Sequence, residues 1–174
     1  MQCVYHLVKN MRGRTLYPLN KLKEVYPDLY ESEKEKYSWR QSEMMFTIPY
    51  LDVLWNDVLM FSPINPEVVK NELAKIGIIT NVFDNYIKIP ITDLNPKSTV
   101  WFDYSQEYVE GLKEKSKDIR LFDFSNYQEL TEIPEHAKRY LKEAAFQDPE
   151  KFLIYWGIPH VLTADNILID KYIL

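Results

Sequence analysis

Residues 53 to 77, VLWNDVLMFSPINPEVVKNELAKIG, set two extended-chain signals and one well-marked helix side by side. Leu51, Val53 and Trp55 alternate with Asp52 and Leu54, and Val58, Met60 and Ser62 alternate with Leu59 and Phe61, which is the period of a strand. Behind them Asn65 suits an N-cap, Pro66 the first helical position and Glu67 the positive end of a helix. Val68, Val69, Leu73 and Ile76 supply its apolar face, and Gly77 ends it. Between the two strand signals stand Asn56 and Asp57, which have two readings. They are turn residues that hydrogen-bond their own main chain, either closing a hairpin or interrupting one strand, or they are the floor of a site.

The rest of the chain continues the mixture. CVYHLV reads as the first strand, and Arg12, Gly13 and Arg14 as a turn. From Leu19 to Gln41 the pattern is helical, with Pro27 opening a second helix rather than interrupting the first. On that second helix Glu33, Lys36, Tyr37 and Arg40 fall three or four apart and share a face, with Glu33 and Lys36 read as a surface ion pair. YIKIP, TVWFD and IRLFDF read as strands, Pro134 to Ala145 as a helix, and KFLIYWGIPHVL and ILIDKYIL as closing strands, with KEKSKDIR an exposed loop. Strands and helices mix without a regular βαβ repeat. The expected class is α+β, a single domain over residues 1–174 with a largely antiparallel mixed sheet and peripheral helices.

A chain of 174 residues supports one well-buried core. Aromatic residues make up 14% of it, which argues against disorder. No apolar run approaches the roughly 20 residues that span a bilayer, and MQCVYHLVKN lacks the layout of a secretory signal. Cys3 is the single cysteine, which excludes an internal disulfide and a cysteine-rich zinc site. These features predict a cytoplasmic protein without membrane contact. The net charge of −5 argues against extended nucleic-acid binding, which draws on many neutralised phosphates. Lys9, Arg12, Arg14, Lys21 and Lys23 nevertheless precede the first acidic residue, Glu24, so the opening segment is positive on an otherwise acidic chain. It is either a surface segment paired with acidic neighbours or a patch suited to one specific anion.

With only four glycines, the chain has no phosphate-cradling glycine loop and no dinucleotide fingerprint. His6, His136 and His160 lie too far apart to predict a metal site, and none is expected. The candidate site residues are polar or aromatic side chains set among apolar strand residues: His6, Asn56, Asp57 and His160. A buried polar side chain costs about 1 to 3 kcal/mol if its hydrogen bonds go unmade, so each needs a partner or a ligand. Arg12, Arg14, Tyr17, Tyr37 and Arg40 add the cations, hydroxyls and rings that a phosphorylated ligand requires. Ser62, just ahead of the Asn65 helix, stands where free helix amides could receive an anion.

VYHLV, LYPLNKLKEVYPDLYESEKEKY, IPYLDVLWNDVLMFSPINP and GIPHVL together resemble a group of short bacterial proteins of unknown function, over nearly the whole chain. The Tyr-His strand at the start and EKFLIYWGIP near the end are also similar to the ADP-ribosyltransferase superfamily, in particular its DNA-modifying toxins. That second resemblance implies an ADP-ribosyltransferase-like fold and NAD as cofactor. It implies that Tyr5 and His6 contact the ribose and adenine side of NAD, and that Glu150 is the catalytic carboxylate. Lys151 stands directly before FLIY and Glu150 one place earlier, and a one-residue slip in a strand turns a side chain to the other face.

Two functions are therefore open to the chain. One is a catalytic or binding domain for an NAD-type nucleotide, another phosphorylated ligand or a nucleic-acid end. The other is a non-catalytic module, an inhibitor or adaptor that offers Tyr26, Tyr30, Trp39 and Tyr50 to a protein partner.

Overall fold

Ten short strands and five helices carry the architecture of the computed structural model, which describes residues 1–144, 147 and 152–172. In chain order the strands are β1 (Cys3–Leu7), β2 (Thr15–Leu16), β3 (Thr47–Ile48), β4 (Val53–Leu54), β5 (Leu59–Phe61), β6 (Tyr86–Pro90), β7 (Thr99–Phe102), β8 (Ile119–Leu121), β9 (His160–Thr163) and β10 (Ile167–Leu168). The helices are α1 (Leu19–Val25), α2 (Pro27–Lys34), α3 (Pro66–Lys75), α4 (Gln106–Val109) and α5 (Glu135–Ala144). The mixture is α+β, and every named strand pair is antiparallel.

A four-stranded sheet runs in the order β5-β9-β7-β8, and β1 pairs separately with β6. The two sheets meet at a single bridge between Tyr5 and Ser62. There the Tyr5 N–H donates to the Ser62 carbonyl at 2.9 Å, and the Ser62 N–H returns a bond to the Tyr5 carbonyl at 2.8 Å. No ladder continues beyond this pair, so β1 and β5 part company toward His6 and Met60.

Alternation along the central strands explains the two-sided core. On β7, Trp101 joins Phe61, Ile89 and Val161 on one face, whereas Val100 and Phe102 join Trp55, Ile48 and Leu162 on the other. Both faces of TVWF are covered, and all four residues are buried. Each such fully buried apolar side chain stabilises the fold by about 1.5 to 3 kcal/mol. A third cluster joins Val69 and Leu73 of α3 to Ala137 and Leu141 of α5, with Phe83 and Ile158 between them. The start of α3 follows its local signals: Asn65 Oδ1 accepts from the Glu67 N–H at 3.0 Å, and Pro66 opens the helix.

Several expectations are corrected. The stretch around Asn56 is neither a hairpin nor one strand, because a 3₁₀ turn at Trp55–Asp57 separates β4, paired with β3, from β5, paired with β9. Of KFLIYWGIPHVL only His160–Thr163 is strand among the described residues; the segment before it turns at Gly157, whose φ is +71°. ILIDKYIL contributes only Ile167–Leu168 as strand within the described residues. KEKSKDIR is not an exposed loop throughout. Asp118 is fully buried and accepts from the Ser105 N–H at 2.8 Å and the Ser105 hydroxyl at 2.7 Å, with the Lys113 ammonium at 2.8 Å. In the same segment the Lys115 ammonium lodges 3.6 Å from the centre of the Trp55 ring and pairs with Glu43. No helix among the described residues is long and apolar enough to cross a membrane.

Candidate functional site

Beyond the Tyr5–Ser62 bridge, where β1 and β5 separate, a cleft of about 330 Å³ opens. Its lining comes entirely from chain positions between 6 and 60. The diverging strands contribute His6, Leu7, Leu59 and Met60, while α1, α2 and the turn after them supply Leu22, Glu33, Lys36 and Tyr37. Lys9, Arg12, Tyr17 and Tyr26 complete the wall.

His6 occupies the point of divergence. Its Nδ1 lies 2.9 Å from the Met60 carbonyl oxygen, and because a carbonyl only accepts, the neutral ring carries its proton on Nδ1. Nε2 is thereby left with a lone pair and has no protein hydrogen-bond partner among the described residues. Burial lowers the pKa of His6, the Met60 carbonyl opposes this, and the charges of Lys36 and Glu33 act in opposite senses. The ring is neutral at pH 7.

Asn56 lies at the floor of the cleft, only 1% exposed, and neither its Oδ1 nor its Nδ2 has a hydrogen-bond partner in the protein among the described residues. Its neighbours dictate its direction. Trp55 is drawn into the core against Phe102, and Asp57 accepts from Asn20 Nδ2 at 2.7 Å and from the Leu54 N–H at 2.9 Å. The short turn is thus clamped on both sides of Asn56. The polar pair divides in role, with Asp57 holding the turn and Asn56 lining the cleft.

The cations are unequally free. Arg12 is bonded to Asp28 at 2.8 Å and Arg14 to Asp170 at 3.3 Å, while Lys21 pairs with Glu24. Lys9 is exposed and has no ion pair among the described residues. Glu33 and Lys36 form the expected ion pair, at 3.4 Å, and they also line the cleft. Above the Tyr37 ring stand the Lys36 ammonium at 5.6 Å and the Arg40 guanidinium at 4.6 Å from its centroid.

The structure therefore brings together His6, Arg12, Tyr17, Tyr37 and Asn56, with Arg40 stacked behind Tyr37. It does not bring the others. The Tyr5 hydroxyl donates to Glu129 Oε2 at 2.7 Å, away from the cleft lining. Arg14 is on the surface, and the Ser62 hydroxyl is occupied by the Ile64 main chain at 3.0 and 3.1 Å. The α3 terminus beside Ser62 is already capped by Asn65, so it leaves no open anion site there. His160 sits among the rings of Phe102, Tyr104 and Tyr155, and its Nδ1–H donates to the Ile158 carbonyl at 2.7 Å. Burial pulls its pKa down to about 4. Glu150 and Lys151 lie outside the described residues.

Of the four aromatic anchors expected for a protein partner, Tyr30 is buried and Tyr26 lines the cleft, while Trp39 and Tyr50 stay exposed. Thr15 and Met60 are cleft residues that the sequence gives no reason to select, since a small hydroxyl beside a turn and an apolar strand residue carry no chemical signal. Among the described residues no group of three His, Cys, Asp or Glu side chains is placed to hold a metal ion. A scan against family models, a search of curated proteins and a search of solved structures each find no match.

Proposed function

We propose that the cleft between β1, β5 and the α1–α2 pair binds a nucleotide-type ligand. The observation that carries this reading is the lining itself, in which Lys9 and Lys36 stand with Tyr17, Tyr26, Tyr37 and His6 around one cleft. Lys9, Lys36 and the tyrosines supply charge and stacking surface for such a ligand.

The volume of about 330 Å³ is near the lower end of small-molecule sites, which run from roughly 300 to 1,000 Å³. It matches a mononucleotide, or one half of NAD, better than a whole dinucleotide. The resemblance to ADP-ribosyltransferases adds His6 as a contact to the nucleotide. Tyr5 drops out of this reading, since its hydroxyl is committed to Glu129.

The test is a thermal-shift series on the purified protein at low salt with mononucleotides, ADP-ribose and NAD. A ligand present at about 100 times its Kd stabilises the native state by about 2.7 kcal/mol, and His6→Ala should diminish that gain. Absence of a shift with every nucleotide overturns the reading in favour of the interaction module, with Trp39 and Tyr50 as its exposed anchors.

A further inference from the structure

Resting on the nucleotide reading for its ligand, we infer that Glu33 is a built-in competitor for the ligand's phosphate, a carboxylate that holds Lys36 until a more highly charged anion takes its place. Glu33 is the one carboxylate in a lining that carries Lys9, Arg12 and Lys36. Arg12 is already neutralised by Asp28, to which it bonds at 2.8 Å. Around Lys36 the cations are in surplus. Lys9 stands in the same lining, and the Arg40 guanidinium shares the Tyr37 ring with the Lys36 ammonium, 4.6 and 5.6 Å from its centroid. Lys9 has no ion pair among the described residues, and the Arg40 Nε–H donates to the Lys36 carbonyl at 3.3 Å rather than to a carboxylate. Burial holds the Lys36 ammonium below its ordinary pKa; Glu33 opposes this, while Arg40 and Lys9 reinforce it. One carboxylate thus stands against several positive charges.

The Glu33–Lys36 contact is of the kind an anion displaces. At 3.4 Å it is long against the roughly 2.7 to 2.9 Å of a close charge-assisted hydrogen bond. The two residues stand three apart, one near the end of α2 and the other in the turn after it, and their side chains are 28% and 50% exposed. Such a pair contributes little to the fold, so giving it up costs little. A carboxylate brings one negative charge and two oxygens, whereas a terminal phosphate brings about −1.5 to −2 and three acceptor oxygens. The phosphate can meet Lys36 and Lys9 together, while Glu33 is paired with Lys36 alone. Glu33 thereby sets a threshold. A neutral ligand gains nothing from Lys36, a singly charged one must match the carboxylate it displaces, and a phosphate exceeds it.

Calorimetric titration of the full chain tests this with three probes: inorganic pyrophosphate, the tightest-binding of AMP, GMP, CMP and UMP, and the matching nucleoside without phosphate. Glu33→Gln should tighten the nucleotide and pyrophosphate by about fivefold and leave the nucleoside unchanged. Lys36→Gln should weaken both anions, and adding Glu33→Gln to it should then gain nothing, since the competitor acts through Lys36. Glu31→Gln removes the same charge from α2 outside the lining, where Glu31 pairs with Lys34, and should leave all three probes unaffected. If neither pyrophosphate nor any nucleotide binds, the functional reading falls and takes this inference with it. If pyrophosphate binds and responds to Glu33→Gln but no nucleotide binds, the nucleotide reading fails and the competition stands. If nucleotides bind and Glu33→Gln weakens them or changes nothing, the inference is wrong while the nucleotide reading stands. A gain that survives Lys36→Gln, or that Glu31→Gln reproduces, also overturns it, by showing only the general field of the acidic chain.

Discussion

His6 donates through Nδ1 to the backbone carbonyl of Met60 at 2.9 Å, a side-chain bond from β1 to β5 at the place where their main-chain pairing has ended. The imidazole does for one carbonyl what a ladder partner would have done. His6→Phe retains the contact with Phe61, whose ring centroid is 5.4 Å away, but leaves that carbonyl without its donor. We expect a loss of about 1 kcal/mol in urea-unfolding stability, together with weakened nucleotide binding in the thermal-shift series.

His160 makes the fold acid-sensitive. Its pKa is about 4 in the folded chain, against an ordinary value of 6.5, because burial disfavours the imidazolium. Between these values the unfolded chain binds a proton that the folded chain refuses, so stability falls as pH drops through that window. The loss from neutral pH to about pH 4 is on the order of 3 kcal/mol. His6, shifted in the same direction, adds to it. Urea titrations of wild type and His160→Gln across this range should show the shallower decline in the variant; parallel declines would refute the assignment.

Two glycines with similar backbone angles should respond differently to alanine. A Cβ at Gly157 would lie 2.9 Å from His136 Cδ2 and 3.2 Å from the Ala137 side chain, against a packed helix. It would also push on the His136 ring that bonds the Tyr104 carbonyl at 3.0 Å. A Cβ at Gly13 would meet only the hydroxyl end of Tyr26, at 2.9 Å, on an exposed turn. Gly157→Ala should cost about 2 kcal/mol or more and Gly13→Ala about 1 kcal/mol, read from unfolding midpoints.

Lys115 and Glu43 form a partly buried ion pair against the rings of Trp55 and Phe46, with the lysine side chain 10% and the glutamate 27% exposed. Glu43→Ala leaves an ammonium buried without its counter-charge and should destabilise by about 3 kcal/mol. The double change Lys115→Met with Glu43→Leu removes both charges and should return to within about 1 kcal/mol of wild type. A double-mutant cycle by urea unfolding checks this, and additive losses would contradict it.

What could be read from the residues alone was what depends on near neighbours. The α3 helix declares itself because its cap, its proline and its apolar spacing all lie within a dozen residues. Leu19–Val25 and Pro27–Lys34 divide at Pro27 for the same reason. The seam at Tyr5 and Ser62 depends on two strands more than fifty residues apart in the chain, and no local pattern announces where their pairing stops. Asn56 and Asp57 look alike as sequence. Only the bonds from Asn20 and Leu54 to Asp57 decide that one holds the turn and the other lines the cleft. The apolar run before His160 carries strand-like composition, yet Phe152, Ile154 and Tyr155 pack into the α3–α5 cluster from a turn.

That the cleft lining stops at Met60 has a consequence for how the protein can change over time. On the nucleotide reading, recognition would lie in one uninterrupted length of chain, while α3, α5 and β6 to β10 brace it from outside. On that reading ligand preference and scaffold robustness are separately heritable: an exchange of the first sixty residues between related chains would transfer the preference whole, and drift in the remainder would alter only how firmly it is held.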